Sequence, residues 1–251
     1  MLFRSVSQSR YGHRYSVFSV CSLGNGLFAS GSADETIKIW RISTGELVST
    51  LKGHSDCVRS VCSLGNDLFA SGSYDSTIKI WRISTGELIS TLNGHIGWVF
   101  CVYYLGNDLI ATGNFDNTIK IWRISTVKLV STLKGHSNSV RSVCSLGNDL
   151  LACSGCDDNT IMIWRISTGE LVSTLKGHSG CVSYVCSLGN DLLTCSGCDD
   201  NTIMIWRIST GELVSTLKGH SNSVYSVCSL GNDIFASGSD DKTIKIWTPI
   251  S

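Results

Sequence analysis

Proline is nearly absent from this chain: Pro249 is the only one in 251 residues. That excludes proline-rich linkers and extended polyproline segments. Charge is also scarce, at 16% of residues, where ordinary soluble domains carry about 25%. The 20 basic residues balance the 20 acidic ones, so the net charge is zero. A neutral chain has little general attraction for nucleic acid or acidic membranes, and the sequence predicts neither as a partner. No apolar stretch approaches the roughly 20 residues that span a bilayer. The opening MLFRSVSQSR holds no apolar h-region, so no secretory signal is expected. A hydrophobic fraction of 42% is too high for a disordered chain. Nothing sustains a helical period for three turns.

What is present is repetition. Tryptophans recur at Trp40, Trp81, Trp122, Trp164, Trp206 and Trp247, spaced 41, 41, 42, 42 and 41 apart. Gly-His pairs start at Gly12, Gly53, Gly94, Gly135, Gly177 and Gly219, on the same beat. A fixed period near 41 is the signature of a modular architecture. Each period holds four short apolar segments separated by turn signals. In the second copy these are Val58 to Leu64, Leu68 to Ser71, Thr77 to Ile83 and Leu88 to Leu92. Gly65-Asn66-Asp67 is a strong hairpin signal, and the third segment is rich in β-branched residues. Four such strands form one small antiparallel sheet. Ile78 and Ile80 lie on one face of it and Trp81 and Ile83 on the other. A sheet apolar on both faces must be covered on both, which a ring of sheets achieves.

The Gly-His pair and the Ile-Trp end of the third strand, in six in-phase copies across residues 12 to 247, with a Ser-Gly-Ser-x-Asp turn in copies one, two and six, resemble the WD-repeat β-propeller family. The resemblance implies an all-β, six-bladed β-propeller of four-stranded antiparallel blades. As one domain, its repeats are 12–52, 53–93, 94–134, 135–176, 177–218 and 219–251. The last copy lacks a fourth strand, and residues 2–6 resemble one in pattern. Pairing of that N-terminal strand in the last blade would close the ring and remove an exposed edge. The alternatives are a truncated seven-bladed ring or an open arc that self-associates. There are departures from the family. Arg82 and its equivalents stand where Asp usually follows Trp, Leu-Gly-Asn replaces the usual turn, and copy three has Val127-Lys128 in place of the last-turn glycine. Copies four and five carry an extra residue, read as a bulge at Cys153 and Cys195.

Ser, His and Asp recur together, as in His54, Ser71 and Asp75. The resemblance implies a structural chain from Trp to Ser to His to Asp. Its members are Trp40, Ser30, His13 and Asp34; Trp81, Ser71, His54 and Asp75; Trp122, Thr112, His95 and Asp116; Trp164, Ser154, His136 and Asp158; Trp206, Ser196, His178 and Asp200; and Trp247, Ser237, His220 and Asp241. Six copies argue against a hydrolase, because a nucleophile needs one special environment and an oxyanion hole. The reading is therefore no enzyme and no cofactor, with a Ser-His-Asp hydrolase the least favoured alternative. Most of the twelve cysteines recur inside apolar runs and are read as buried free thiols, in a reducing compartment, the cytoplasm with the nucleus as alternative. Two C-x-x-C pairs, Cys153 with Cys156 and Cys195 with Cys198, have metal-ligand spacing. Sheets packed about 10 Å apart place them poorly for one shared zinc, so no metal is expected.

Positions that vary between copies are candidates for a partner. The resemblance places the usual binding face at the turn between the second and third strands and the start of the first. Three positions per copy point there: those flanking the first-strand valine, and the one before the turn Asp. They carry Phe18, Arg59, Tyr74, Trp98, Phe100, Phe115, Arg141, Asp157, Asp199, Tyr225 and Asp240, with Cys57 and Cys181 among the rest. Aromatics gather in copies two and three, and aspartates in copies four to six. An aromatic anchor with an acidic sector suits a peptide bearing an apolar side chain and a Lys or Arg. The function expected is a non-catalytic protein-interaction scaffold, a monomeric propeller within a larger complex. The alternative is a substrate-recognition subunit of an assembly such as a ubiquitin ligase.

Overall fold

The computed structural model describes residues 12–249, all of it strands and turns. Blade 1 comprises β1 (Val17–Gly24), β2 (Leu27–Ser32), β3 (Ile37–Arg41) and β4 (Leu47–Leu51). Blade 2 comprises β5 (Val58–Gly65), β6 (Leu68–Ser73), β7 (Ile78–Arg82) and β8 (Leu88–Leu92). Blade 3 comprises β9 (Val99–Gly106), β10 (Leu109–Asn114), β11 (Thr118–Arg123) and β12 (Lys128–Lys134). Blade 4 comprises β13 (Val140–Gly147), β14 (Leu150–Gly155), β15 (Thr160–Arg165) and β16 (Leu171–Lys176). Blade 5 comprises β17 (Val182–Gly189), β18 (Leu192–Gly197), β19 (Ile203–Arg207) and β20 (Glu212–Leu217). Blade 6 has three described strands, β21 (Val224–Gly231), β22 (Ile234–Ser239) and β23 (Ile244–Trp247). Every sheet is a meander whose neighbours in sequence are neighbours in space. The expected closing strand, residues 2–6, lies outside the described residues. The chain divides into two compact units. One runs to Thr112 and takes in Ile121–Val130; the other is Gly113–Lys120 with the chain from Ser131 onward.

The two-faced strand explains the packing. In the first unit, Trp81 and Phe69 of blade 2 pack with Ile37, Ile39 and Leu51 of blade 1. On the opposite face, Ile78 and Ile80 pack with Val99, Val102 and Ile110 of blade 3. All of these are buried, and burying each side chain stabilises the stack by about 1.5–3 kcal/mol. In the second unit, Ile203 of blade 5 packs with Val224, Val227 and Phe235 of blade 6 in the same way. Close approach is a condition of this stacking. A Cβ on Gly72 would lie 2.7 Å from Val99 Cγ1 and 2.8 Å from Val102 Cγ2.

The hairpin turns form as their sequence dictates. Asn66 and Asp67 have φ of 48° and 64°, the pair of left-handed residues that a two-residue hairpin turn needs. Asp67 does more than turn the chain. Its carboxylate accepts the backbone N–H of Ser84 at 2.9 Å and the Ser84 hydroxyl at 2.5 Å, tying the first hairpin to the last turn of the blade. Asp108 with Ser125, Asp149 with Ser167 and Asp191 with Ser209 repeat the tie. Blade 3 pays no attention to its missing glycine: Val127 adopts φ 57° where Gly86 has 72°. Lys79 and Lys120, which alternate with isoleucines on the third strands of blades 2 and 3, are both buried. Lys79 Nζ donates to Thr91 Oγ1 at 3.1 Å, and Lys120 Nζ to Thr118 Oγ1 at 3.0 Å.

Candidate functional site

Each blade is pinned at one end by a buried polar chain. In blade 2 the Trp81 indole N–H donates to Ser71 Oγ at 2.8 Å. The Ser71 hydroxyl donates to His54 Nε2 at 2.7 Å, and His54 Nδ1–H donates to Asp75 at 2.7 Å. Asp75 also accepts from the Thr77 hydroxyl at 2.6 Å and from the Thr77 and Ser55 backbone N–H groups. Blades 1 and 6 repeat the chain with Ser30 and Ser237. In blade 3, Thr112 takes the same two contacts, at 2.7 Å from His95 and 2.9 Å from Trp122. Burial pushes the Asp75 carboxyl up, but the hydrogen bonds from His54 and Thr77 outweigh it and hold the group well below the usual carboxylate range. The order of groups is that of a hydrolase triad, but Ser71 and Thr112 are wholly buried and their oxygens already accept an indole N–H. The arrangement fastens the turn between the second and third strands to the start of the blade.

Blades 4 and 5 depart from the expectation. His136 Nε2 meets Cys153 Sγ at 3.1 Å, and His178 Nε2 meets Cys195 Sγ at 3.1 Å. Cys153 pairs with Val143, as Ser71 pairs with Val61, so the cysteine and not Ser154 fills the serine slot. Likewise Cys195, not Ser196, fills it in blade 5. Trp164 Nε1 and Trp206 Nε1 are left buried with no hydrogen-bond partner, because a thiol is a poor acceptor. The extra residue is therefore not a bulge in the second strand. It is taken up by the turn that follows. Cys156 N donates to Ser139 O as Tyr74 N donates to Cys57 O, and Cys198 N donates to Cys181 O. Cys156 and Cys198 thus hold the Tyr74 position, and Asp157 and Asp199 stand one residue beyond it, contrary to the register expected from the sequence.

The variable end of the blades carries several built contacts among the described residues. Tyr74 stacks on Trp98 with centroids 4.6 Å apart and planes at 18°. Phe100 meets both edge-on, at 5.8 Å from Tyr74 and 6.2 Å from Trp98. Trp98 is 45% exposed and Phe100 only 5%, so Phe100 is the buried floor of the cluster and not a surface residue as expected. The Arg59 guanidinium lies 4.5 Å over the Phe18 ring. In the second unit, Tyr225 donates to Asp240 at 3.0 Å, Asp157 accepts from Asn138 Nδ2 at 2.8 Å, and Asp199 accepts the Cys181 backbone N–H at 3.1 Å. Phe115 belongs to that unit and is exposed, while Arg141 is half-buried on β13.

The cysteines divide. Cys153 and Cys195 are buried free thiols, as expected, and Cys228 is exposed. Cys156 and Cys181 instead form a disulfide between blades 4 and 5. The C-x-x-C spacing is not the operative unit, since within each pair one sulfur faces a histidine, while Cys156 bonds Cys181 and Cys198 meets the Ser183 hydroxyl. Cys156, Asp157 and Cys181 are the group among the described residues that could converge on a metal ion. Cys181 is in phase with Trp98 in the sequence as expected; aligning from the first strand, and not from the tryptophan, also puts Cys156 in phase with Tyr74.

Comparison with known proteins agrees with this geometry. The model of the WD domain, G-beta repeat matches residues 4–41, 45–82, 86–123, 127–165, 169–207 and 211–248, and the chain belongs to that family. It is an all-β, six-bladed propeller chain of antiparallel blades. Among solved structures it is similar to U3-55K, with a TM-score of 0.86 and 22% identity over 94% of this chain and 78% of that one. It is also similar to the computationally designed Ika8 protein, with a TM-score of 0.80 and 29% identity over 94% of this chain and 72% of that one. The first likeness is one of fold alone. No curated protein matches the sequence. Propellers of this family are generally non-catalytic and bind proteins.

Proposed function

We propose that this protein is a non-catalytic interaction scaffold that captures a protein or peptide partner through the Tyr74–Trp98 cluster. The observation that carries this reading is the exposed Trp98 ring stacked on Tyr74 over a buried Phe100. Three rings that hold each other need no further ordering when an apolar side chain lands on them, so little of the contact energy is lost to immobilisation. Aromatic anchors of this kind carry a large part of binding energy at interfaces. The polar chains beneath hold the backbone of each turn, which frees the exposed positions to vary. In the second unit, the exposed Asp157, Asp199 and Asp240 offer carboxylates to a basic residue of the partner.

The test is affinity capture with the intact chain and with a Trp98→Ala, Phe115→Ala double variant, the fold of each checked by circular dichroism. Loss of a hot-spot tryptophan costs about 2 kcal/mol or more, so captured partners should fall by at least about 30-fold. Recovery of the same partners at the same yield by a folded double variant refutes the anchor site.

A further inference from the structure

We propose that Cys156 and Cys181 form a reversible, redox-controlled staple that joins the turn of blade 4 to the first strand of blade 5 and sets the pose of Asp199. The two residues approach to 4.3 Å between Cα atoms, although 25 positions separate them in sequence. They come together because each occupies a fixed backbone slot. Cys156 is placed by its N–H donating to Ser139 O, and Cys181 stands immediately before β17. The same two slots in blades 2 and 3 hold Tyr74 and Trp98, which stack. The repeat therefore brings these two positions into side-chain contact at both junctions, two rings at one and two thiols at the other.

The link to Asp199 is direct. The Cys181 backbone N–H donates to Asp199 Oδ2 at 3.1 Å. Gly180 makes room for that carboxylate, since a Cβ there would lie 2.4 Å from Asp199 Cβ. Fixing Cys181 through its sulfur fixes the donor that orients Asp199. Releasing it frees the turn after β14, the residues before β17 and the exposed carboxylate together.

The exchange needs a small-molecule disulfide of the glutathione class as oxidant. One cysteine thiolate attacks a sulfur of that disulfide; the sulfur–sulfur bond breaks, and one thiolate leaves with the electron pair and takes up a proton. The second cysteine thiolate then attacks the protein sulfur of the mixed disulfide and expels the other small thiol. Two protein thiols are oxidised to one disulfide, and one small disulfide is reduced to two thiols. Reduction runs the same steps backward.

The experiment uses the full chain, equilibrated in mixtures of reduced and oxidised glutathione, quenched in acid, unfolded and alkylated. Of the twelve cysteines, the oxidised protein should leave two unalkylated, recovered by mass spectrometry as one linked peptide pair containing Cys156 and Cys181. Reduction should restore alkylation of all twelve. It should also raise amide hydrogen exchange at residues 156–159 and 180–183 in the wild type. A Cys156→Ser, Cys181→Ser variant should show the reduced exchange pattern in both conditions, and the wild-type comparison with and without reductant stands even where that variant fails to fold. Full alkylation of both cysteines at every glutathione ratio overturns the proposal. So does a linked pair whose reduction leaves exchange unchanged at both segments, or stoichiometric zinc bound through Cys156, Asp157 and Cys181.

Discussion

Where blade 2 meets blade 3, Tyr74 lies flat on Trp98; where blade 4 meets blade 5, the same two backbone slots hold Cys156 bonded to Cys181. The polar chains differ between the same regions. Ser71 in blade 2 receives an indole N–H and bonds a histidine, while Cys153 in blade 4 meets the histidine and leaves the Trp164 indole unpaired. The backbone hydrogen bonds that place the slots are nonetheless alike, with Tyr74 N to Cys57 O and Cys156 N to Ser139 O. The frame is thus set by the strands and the Gly-His entry, and side chains at the slots exchange chemistry without moving it. A repeat in which frame and contents are separable is suited to display.

The largest expected effect is with pH, and it splits the two regions. Burial raises the Asp200 carboxyl, but hydrogen bonds from His178 and Thr202 outweigh it and bring it to about 2; Asp75 is held low by His54 and Thr77. A carboxyl lowered on folding contributes stability that is present above its ordinary value near 3.8 and is lost as pH falls toward the folded value. Burial lowers the His136 and His178 imidazoles, but their hydrogen bonds to Asp158 and Asp200, with the neighbouring cysteines, outweigh it and raise them to about 10 and about 9. A raised imidazole contributes stability that is full below about 6.5 and is lost as pH climbs through the folded value. Each His–Asp pair is one interaction felt by both partners and counts once. Thermal melts should therefore peak between about pH 4 and 6.5 and fall on both sides. Asp75→Asn should weaken the acid limb, and Asp158→Asn both limbs. A melting temperature independent of pH from 6.5 to 10 refutes the charged imidazoles in blades 4 and 5.

A second test breaks the comparison by substitution. Ser71→Ala leaves the Trp81 N–H and the His54 Nε2 buried without partners. At about 1–3 kcal/mol for each orphaned group, the loss is about 2–6 kcal/mol. Ser154→Ala removes one acceptor of the Ser142 backbone N–H and costs about 1 kcal/mol. Denaturant unfolding of both variants decides the register. Equal losses would mean that Ser154, not Cys153, completes the chain in blade 4.

The legible part of this molecule was whatever a period could carry. Tryptophan spacing gave the number of blades, the Asn66-Asp67 pair gave a hairpin turn, and the alternation of Ile78, Ile80 and Trp81 gave a strand buried on both faces. Two kinds of feature escaped. Asp67 was read as part of a turn, and its tie to Ser84 across 17 residues has no local signature. The extra residue of copies four and five can be absorbed before or after the serine slot, and only the strand pairing of Cys153 with Val143 decides between them. That one choice moved Ser154 and Ser196 out of the polar chain, displaced Asp157 and Asp199, and put Cys156 opposite Cys181. Trp98 and Tyr74 were found as variable aromatics, but that Phe100 is their buried floor depends on which side of β9 faces blade 2.

The smallest effect expected is a gain. Cys153 carries a sulfur where Ser71 carries an oxygen, and the Trp164 indole N–H, fully buried, has no partner there. Cys153→Ser supplies a smaller, stronger acceptor at a site whose histidine and tryptophan are already placed for it. The new hydrogen bond should stabilise the fold by about 1 kcal/mol, and Cys195→Ser should do the same in blade 5. The two substitutions act on separate chains and should add. Urea unfolding of the single and double variants measures this. A loss in both would mean that the larger sulfur fills space an oxygen cannot, so that blades 4 and 5 are packed around the thiol and blade 2 is not their template at this position.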